Sequence, residues 1–148
     1  MDNDVIVIGA GPAGSTAARE ISSLGWNVLL LDKSRFPRDK PCGGGVTIRT
    51  DELLPFSLDP VIEDVVYGAH LRLRDGRIVT RYTKKPITYM TQRIRLDAFL
   101  VEQSQRSGVE FRDGIAVTHV RRLAPDQFEV IDRSGEKYTS RVLIGADG

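Results

Sequence analysis

Two short apolar runs separated by a helical pattern open the chain. Residues 5–8, Val-Ile-Val-Ile, are β-branched and apolar throughout, which is typical of a strand buried on both faces. From Pro12, small and apolar residues recur at helical spacing until Gly25, a typical C-terminal cap. A second apolar run, residues 28–31, ends at Asp32. The pattern predicts a β-α-β unit with a right-handed crossover.

The middle of the chain is predicted to form a loop, a short helix and then strands. Residues 33–45 are basic and rich in proline and glycine, and residues 46–54 are predicted as a short helix. Apolar residues then alternate with polar ones over residues 69–74, and Asp75-Gly76 is a strong hairpin-turn signal before residues 77–82. A further strand is predicted at residues 87–91.

The second half predicts one helix and several strands. The helix is predicted from the spacing of Leu96, Phe99 and Leu100, with Asp97 in its first turn and Gly108 after its end. Strands follow at 115–122, 126–132 and 136–140, which form an antiparallel meander between residues 115 and 140. The predicted parallel strands of the sheet are residues 4–9, 26–32, 109–112 and 141–146.

A glycine turn supplies the first candidate chemistry. Residues 9–14 fit G-x-G-x-x-G, with Gly9 permitting the tight turn, Gly11 admitting a pyrophosphate and Gly14 letting the helix pack close to the strand. Asp32, 18 residues past Gly14, stands where an acid accepts hydrogen bonds from ribose hydroxyls. A carboxylate there disfavours the 2′-phosphate of NADP at this site. The motif predicts a dinucleotide and leaves NAD and FAD open.

Composition and charge are those of an ordinary soluble domain. The chain has 148 residues, 41% hydrophobic and 28% charged, with a formal net charge of +1. These values argue against a disordered tail and against a strongly basic nucleic-acid binder. The arginines at 72, 74, 77 and 81 are interpreted as the outward face of the hairpin, without interleaved aromatics, so no nucleic-acid partner is expected. His70 and His119 alternate with apolar neighbours and are predicted to face solvent.

Cysteine usage and the N-terminus point to a reducing compartment. Cys42 is the one cysteine, so an internal disulfide is ruled out. The N-terminus is acidic, and no stretch approaches the length of a spanning helix, which predicts a cytoplasmic protein. Peripheral membrane contact stays open, because a substrate can bring an enzyme to a bilayer. No His/Cys/Asp/Glu cluster has metal-ligand spacing, so no metal is expected.

Three segments resemble the FAD-dependent oxidoreductases of the aromatic-hydroxylase and geranylgeranyl-reductase superfamily. Residues 4–15 resemble its first fingerprint, in which Pro12-Ala13 follows the second glycine. Residues 93–97, Arg-Ile-Arg-Leu-Asp, resemble its Arg-x-x-x-Asp element at the start of a helix. Residues 143–148 resemble the beginning of its Ala-Asp-Gly fingerprint, which contains Asp147. The three elements in order are far more specific than any one of them.

The segment Lys40-Pro41-Cys42-Gly43-Gly44 narrows the resemblance to the geranylgeranyl reductase branch. Members of that branch reduce C=C bonds of prenyl chains with reduced FAD, so the resemblance implies FAD as cofactor and NAD(P)H as electron donor. It also implies a prenylated small molecule or lipid as substrate. The alternatives are an FAD-dependent monooxygenase or halogenase, which shares the first and last fingerprints, and a stand-alone nucleotide-binding domain without catalysis.

The resemblance also implies roles for individual residues. The turn residues Gly9, Gly11, Pro12, Ala13 and Gly14 would hold the FAD pyrophosphate; Asp32 and Lys33 would lie at the adenosine ribose; Asp147 would also belong to the cofactor site. Arg93 would reach pyrophosphate or ribityl oxygens, whereas Arg95 is expected to face solvent. Val117 would contact adenine through its backbone.

Cys42, Gly43 and Gly44 would lie near the isoalloxazine ring, where glycines let the chain pass close to a flat ring. Cys42 is also the candidate catalytic residue, as a group that positions substrate or supplies a proton. The alternative is that it is a small residue that fits beside three glycines. The basic loop residues Lys33, Arg35, Arg38 and Lys40 are interpreted as a solvated loop, with attraction of NAD(P)H or diphosphate as the alternative.

The predicted fold is a three-layer α/β Rossmann-like FAD/NAD(P)-binding domain with a parallel sheet, an antiparallel β-meander crossover and part of a second β-sheet. The chain stops inside a cofactor fingerprint, so residues 1–148 are expected to be the N-terminal FAD-binding fragment of a larger enzyme, inactive by itself. Residues 46–92 would contribute a substrate-side insertion. The oligomeric state is left open.

Overall fold

The computed structural model describes residues 3–148. In chain order the elements are β1 (Asn3–Ile8), α1 (Pro12–Ser23), β2 (Val28–Leu31), β3 (Gly45–Thr47), α2 (Ile48–Asp51), a 3-10 turn (Asp59–Val61), β4 (Ile62–Val66), β5 (Gly68–Arg72), β6 (Ile78–Tyr82), β7 (Thr88–Thr91), α3 (Arg93–Arg106), β8 (Glu110–Arg112), β9 (Val117–Ala124), β10 (Gln127–Asp132) and β11 (Lys137–Gly145). They divide into two units. The first contains the described residues up to Asp39 together with Leu96–Gly148, and the second is Lys40–Arg95.

A six-stranded sheet forms the centre of the first unit, in the order β8-β2-β1-β11-β10-β9. β1 pairs in parallel with β2 and with β11, and β2 pairs in parallel with β8. β10 pairs antiparallel with both β9 and β11. The predicted parallel strands and meander are therefore confirmed. The last two predicted strands are one continuous strand, β11, whose first half pairs with β10 and whose second half pairs with β1.

Each face of this sheet buries its own apolar core, which gives the first unit its three layers. The face covered by α1 and α3 contains Val5, Val7, Ala10, Ala18, Val28, Leu30, Val101 and Val109. The other core joins Ile6, Leu29 and Leu31 of the central strands to Val130 and Tyr138 of the meander strands. Burying one such aliphatic side chain contributes about 1.5–3 kcal/mol. Strands buried on both faces explain why β1 and β2 are apolar at every central position.

The first helix begins and ends where its sequence predicts. Pro12 occupies its first position, where a missing N–H costs nothing, and Gly14, Ser15 and Ala18 turn toward the sheet. After Leu24, Gly25 adopts φ +91°, the left-handed conformation that commonly ends a helix. The predicted cap is therefore confirmed.

The second unit holds a three-stranded sheet in the order β3-β7-β4 and the separate hairpin of β5 and β6. The prediction of a helix over residues 46–54 is wrong for its first two residues, because Val46 and Thr47 pair with β7. β-branched residues favour that pairing. Only one turn, α2, is helical, and the Thr47 side chain accepts a bond from the Thr50 amide at 3.3 Å. The sequence pattern does not predict β4.

The hairpin is confirmed, but its arginines do not share one face. Directly opposed residues of an antiparallel pair lie on the same face, and Arg81 stands opposite Ala69, whereas Arg72 stands opposite Ile78. Arg81 therefore lies on the face of the apolar residues, and the single outward face expected for the arginines is wrong. Within residues 3–148, no helix has the length and apolarity needed to cross a membrane.

Candidate functional site

A tight turn joins β1 to α1 and requires glycine at two positions. Gly9 has φ +99°, and its amide donates to the carbonyl oxygen of Leu31 at 2.7 Å. A Cβ on Gly9 would lie 2.5 Å from the backbone oxygen of Ala146, and a Cβ on Gly14 would lie 1.8 Å from the backbone oxygen of Gly9. The strand, the turn and the helix are thus in close backbone contact, as the sequence predicts for both glycines.

The N-terminus of α1 is open to an anion. Gly11 is the N-cap residue in an extended conformation, and it has no side chain with which to cap the first amides. Pro12 fills the first helical position, and the first turn, which the structure describes in full, contains no acidic residue. Ala13 is exposed at this end. Unpaired amides and the positive end of the helix dipole suit a phosphate group.

Asp32 is fixed beside this turn at the carboxyl end of β2. Asp32 is 7% exposed. One carboxylate oxygen, Oδ2, accepts the Ala10 amide at 2.8 Å, and the other, Oδ1, accepts the Ser34 amide at 2.8 Å. Each oxygen keeps a further lone pair for another donor. Lys33, the next residue, is exposed.

The basic loop after β2 is only partly solvated. Lys33, Arg35 and Lys40 are exposed, as expected, but the Arg38 side chain is only 14% exposed. Its Nη2 lies 3.1 Å from Oδ2 of Asp97, a carboxylate that is fully buried. Its Nε lies 3.9 Å from Oδ2 of Asp32. The prediction of a solvated loop is therefore wrong for Arg38, which belongs to the surroundings of Asp32.

The sequence signal that indicates a buried partner for Arg38 lies in helix α3 and not in the loop that contains Arg38. Because α3 begins at Arg93, Asp97 is its fifth residue, and the prediction that it lies in the first turn is wrong; it lies between Leu96 and Leu100 on the buried side of the helix. A buried carboxylate requires a cation or several donors, because its desolvation is otherwise very costly. An acid on the apolar side of a predicted helix thus indicates a buried cationic partner. The sequence pattern does not identify which of the four loop cations that partner is.

The loop that leads to Val117 is anchored on Asp32. The amide of Ile115 donates to the backbone oxygen of Asp32 at 2.8 Å, and the amide of Gly114 donates to that of Ser34 at 3.2 Å. Val117, half-buried, then begins β9. Val117, the predicted adenine-side residue, is therefore two positions after Ile115, whose amide is hydrogen-bonded to the candidate ribose-binding Asp32.

A buried carboxylate stabilises the turn beside Val117. Asp132, which pairs with Val117, accepts bonds from the Ser134 hydroxyl at 2.6 Å, from the Ser134 amide at 2.8 Å and from the Glu136 amide at 3.0 Å. These bonds, above all that from the Ser134 hydroxyl, hold the pKa of Asp132 below the ordinary 3.8. The ionised form of Asp132 therefore stabilises the turn between β10 and β11.

The end of β11 closes over the glycine turn. The amide of Ala146 donates to the backbone oxygen of Ile8 at 2.7 Å, and the Cα of Asp147 lies 2.8 Å from the Cβ position of Gly9. The Asp147 residue itself is exposed. The first and last predicted fingerprints, at the two ends of the sequence, thus meet in space.

The predicted flavin-side residues lie in the second unit. Gly44 is buried with φ +73°, and a Cβ there would lie 2.0 Å from the backbone oxygen of Thr91. The Thr91 amide donates to the Gly44 oxygen at 2.8 Å, which ties the glycine segment to the strand just before Arg93. Cys42 and Gly43 are exposed, and Sγ of Cys42 accepts the Gly44 amide at 3.5 Å.

The two arginines of the Arg-x-x-x-Asp element differ in their surroundings. Arg93 is the first residue of α3 and is half-buried. The side chain of Arg95 is 48% exposed and pairs with Glu63 and with the backbone oxygen of Pro60. The prediction that Arg95 faces solvent is confirmed.

The predicted residues therefore fall into two groups. The first unit brings together the glycine turn, Asp32, Lys33, the Val117 segment and Asp147. The second unit contains Cys42, Gly43, Gly44 and Arg93. In the part of the chain that the structure describes, no three His, Cys, Asp or Glu side chains are grouped to hold a metal ion. His70 and His119 are exposed, as predicted.

The strand order and the glycine turn define the class of protein. The parallel strands run β8-β2-β1-β11, with the turn after the first strand and an acid after the second, which is the arrangement of Rossmann-like dinucleotide-binding domains. The open amides of α1 and the buried Asp32 fit the diphosphate and the ribose of such a ligand. Residues 2–148 match the FAD binding domain family, and the chain belongs to that family.

Two relatives of the chain are reductases. The chain is 33% identical to a geranylgeranyl diphosphate reductase of Rhodobacter capsulatus over 100% of this chain and 38% of the relative. It is 46% identical over 71 residues to a menaquinone reductase of Mycobacterium tuberculosis, which covers 47% of this chain and 17% of the relative. The chain thus spans about two fifths of the length of the Rhodobacter relative.

Solved structures confirm the fold. A geranylgeranyl bacteriochlorophyll reductase-like protein of Thermoplasma acidophilum superposes with a TM-score of 0.84 at 23% identity, covering 99% of this chain and 39% of that one. A myxobacterial chondrochloren halogenase has a TM-score of 0.79 at 25% identity, over 99% of this chain and 37% of the halogenase. The chain therefore shares its three-layer Rossmann-like fold with both of these proteins.

Proposed function

We propose that this chain is the FAD-binding part of a reductase that saturates C=C bonds of prenyl groups. The observation that carries the proposal is the 33% identity to a geranylgeranyl diphosphate reductase along the whole chain. The substrate would be a prenylated small molecule or lipid, and NAD(P)H would supply the electrons. FAD, when bound, supplies two-electron hydride chemistry.

The first unit would bind the adenosine diphosphate half of the cofactor. The amides at the N-terminus of α1, from Ala13 and Gly14, would donate to the diphosphate oxygens, and the dipole of α1 would add favourable charge. Asp32 would use its remaining lone pairs to accept from ribose hydroxyls, with Lys33 beside it. Val117 would contact adenine through its backbone, and Asp147 would complete the site beside Gly9.

The second unit would bind the flavin half and cover the substrate side. The buried Gly44 holds the segment against Thr91, and the exposed backbone of Cys42 and Gly43 beside it is open to close approach by a flat ring. Arg93 would donate charge-assisted hydrogen bonds to pyrophosphate or ribityl oxygens. Cys42 would position substrate or supply a proton. Residues 46–92 would contribute to the substrate-side insertion.

The reaction is tested with the full-length protein and geranylgeranyl diphosphate. We expect anaerobic turnover with NADPH or NADH, in which each reduced double bond adds two hydrogen atoms to the product, as measured by mass spectrometry. Photoreduced enzyme without NAD(P)H should give a single round of reduction. Product formation that requires oxygen and inserts it would contradict the proposal.

The cofactor site is tested with a matched pair of arginine variants. Arg93→Met should weaken FAD binding about ten- to a hundredfold, because it removes a charge-assisted hydrogen bond worth about 1.5–3 kcal/mol. Arg95→Met removes the same charge two residues away, from a side chain already paired with Glu63, and should leave the FAD Kd within about twofold. Titration of flavin fluorescence measures both. Equal effects would refute the role of Arg93.

The second candidate function is an FAD-dependent monooxygenase or halogenase, which the likeness to the chondrochloren halogenase favours. Oxygen consumption equal to product formed distinguishes it from a reductase. A stand-alone nucleotide-binding domain is the third candidate. A full-length protein that binds ADP but shows no flavin absorption would support that domain.

A further inference from the structure

One largely shielded guanidinium, that of Arg38, lies between the candidate ribose-binding acid and Asp97 of α3. We propose that Arg38 is a positioning residue that holds the Asp32 carboxylate in the orientation that accepts the cofactor's ribose. The inference rests on the proposed binding of FAD and adds to it a residue that acts through Asp32.

Arg38 is placed to act on Asp32 by charge. Its Nε is 3.9 Å from Oδ2 of Asp32, the oxygen that also accepts the Ala10 amide at 2.8 Å. Both groups are largely shielded from solvent, with side chains 14% and 8% exposed. Screening is weak at such sites, so a cation at this distance restrains the carboxylate much more than it would at the surface.

The guanidinium is itself held from two sides. Its Nη2 lies 3.1 Å from Oδ2 of the fully buried Asp97, so it is anchored to α3. Its Cζ lies 5.2 Å from the centre of the Phe36 ring, and that ring packs edge-on against Phe111 at 5.2 Å. The Phe36 amide donates to Oδ2 of Asp113 at 2.8 Å. A fork with several donors in a fixed plane is thereby pre-organised toward both carboxylates.

This arrangement fixes Asp32 more firmly than its backbone contacts do alone. The Ala10 and Ser34 amides bond to both oxygens but belong to a turn and a loop. Arg38 adds a link to α3, whose Leu100 and Val101 are buried in the first unit. An ordered carboxylate lowers the entropy lost when ribose hydroxyls bind.

The test must separate this role from simple stabilisation of the fold. In the full-length protein, Arg38→Met should lower the thermal midpoint, because Asp97 loses a cation at 3.1 Å. Adding Asp97→Leu removes that buried charge and should restore most of the midpoint. The double variant should still bind FAD roughly tenfold more weakly than the wild type, because Asp32 has lost its cation.

The decisive measurement is whether the loss of FAD affinity caused by replacing Arg38 requires the Asp32 carboxylate. Asp32→Asn removes the charge on which Arg38 acts, so the Arg38→Met/Asp97→Leu pair should cause no further loss of FAD affinity in that background. Arg38→Lys keeps the charge and should bind FAD more tightly than Arg38→Met. Arg35→Met, an exposed cation of the same loop, is the control and should leave the FAD Kd within about twofold.

The outcomes are separable. Recovery of both the midpoint and FAD affinity in Arg38→Met/Asp97→Leu would overturn the inference and leave Arg38 a structural residue. An equal loss of affinity with and without Asp32→Asn would also overturn it. A wild-type protein that binds neither FAD nor ADP would refute the proposed function itself, and the inference with it.

Discussion

Replacing Gly9 by alanine isolates the cost of close backbone packing at the glycine turn. Gly9 and Gly25 have nearly the same φ, +99° and +91°. Alanine at either position therefore carries a similar cost of roughly 1–2 kcal/mol for a positive φ. Apart from its chain neighbours, Gly25 has no heavy atom of residues 3–148 within 4 Å of its Cβ position, so Gly25→Ala measures that cost alone.

Gly9→Ala adds a steric term that Gly25→Ala lacks. The new Cβ would lie 2.5 Å from the backbone oxygen of Ala146, so the backbone that follows β11 must retreat by about 0.9 Å to reach 3.4 Å, where ordinary contact begins. Displacing packed backbone by such amounts costs about 1–3 kcal/mol. We therefore expect Gly9→Ala to lower the free energy of unfolding by about 2–5 kcal/mol, against about 1–2 kcal/mol for Gly25→Ala.

Chemical denaturation followed by circular dichroism measures both changes, and flavin fluorescence measures the FAD Kd of the same variants. Gly9→Ala should also weaken FAD binding, because the shift moves Asp147 and the turn that receives the diphosphate. Gly25→Ala should leave the Kd unchanged. Losses of stability that agree within about 0.5 kcal/mol would refute the close packing between Gly9 and Ala146.

Three further predictions follow from burial and hydrogen bonding. Leu30→Ala should lower the free energy of unfolding by about 2–5 kcal/mol, whereas Leu24→Ala, at a side chain 78% exposed, should change it by less than about 0.5 kcal/mol in denaturation experiments. Ser134→Ala should raise the pKa of Asp132, which carboxyl NMR measures, because the lost hydrogen bond favours the ionised carboxylate. The variant should be less stable than the wild type at neutral pH, and this difference should shrink as the pH falls below 3.8 and Asp132 becomes protonated in the wild type. Iodoacetamide should alkylate the exposed Cys42 in the apo protein, and FAD should slow the reaction; equal rates would contradict a position beside the flavin.

The parts of the fold that depend on local pattern could be predicted from the sequence. The apolar runs of β1 and β2 and the cap at Gly25 are local signals, and so is the Asp75-Gly76 turn. The structure confirms them. Prediction failed where tertiary pairing decided the outcome: residues 45–47 form a strand because they meet β7, although residues 46–54 as a whole suggest a helix.

In the candidate site, too, the sequence predicts the local motifs, whereas the contacts that depend on the tertiary fold are not predicted. The spacing of Gly9, Gly14 and Asp32 follows from the chemistry of a dinucleotide, and their juxtaposition is found in the structure. Arg38 was missed because nothing in the loop sequence distinguishes it from Arg35. Only the fold, by carrying the loop past Asp97, separates a buried ion pair from an exposed cation.

The pairing of β1 with β11 bears on how the protein is made. Val5 pairs with Val142, so the second edge of β1 stays uncovered until β11, 137 residues further along the chain, has been synthesised. During synthesis β1 can pair with β2, but its other edge is an apolar template for unwanted pairing. The sheet of the first unit therefore cannot close until β11 is available, and a chaperone that shields extended apolar segments would raise the yield of native protein.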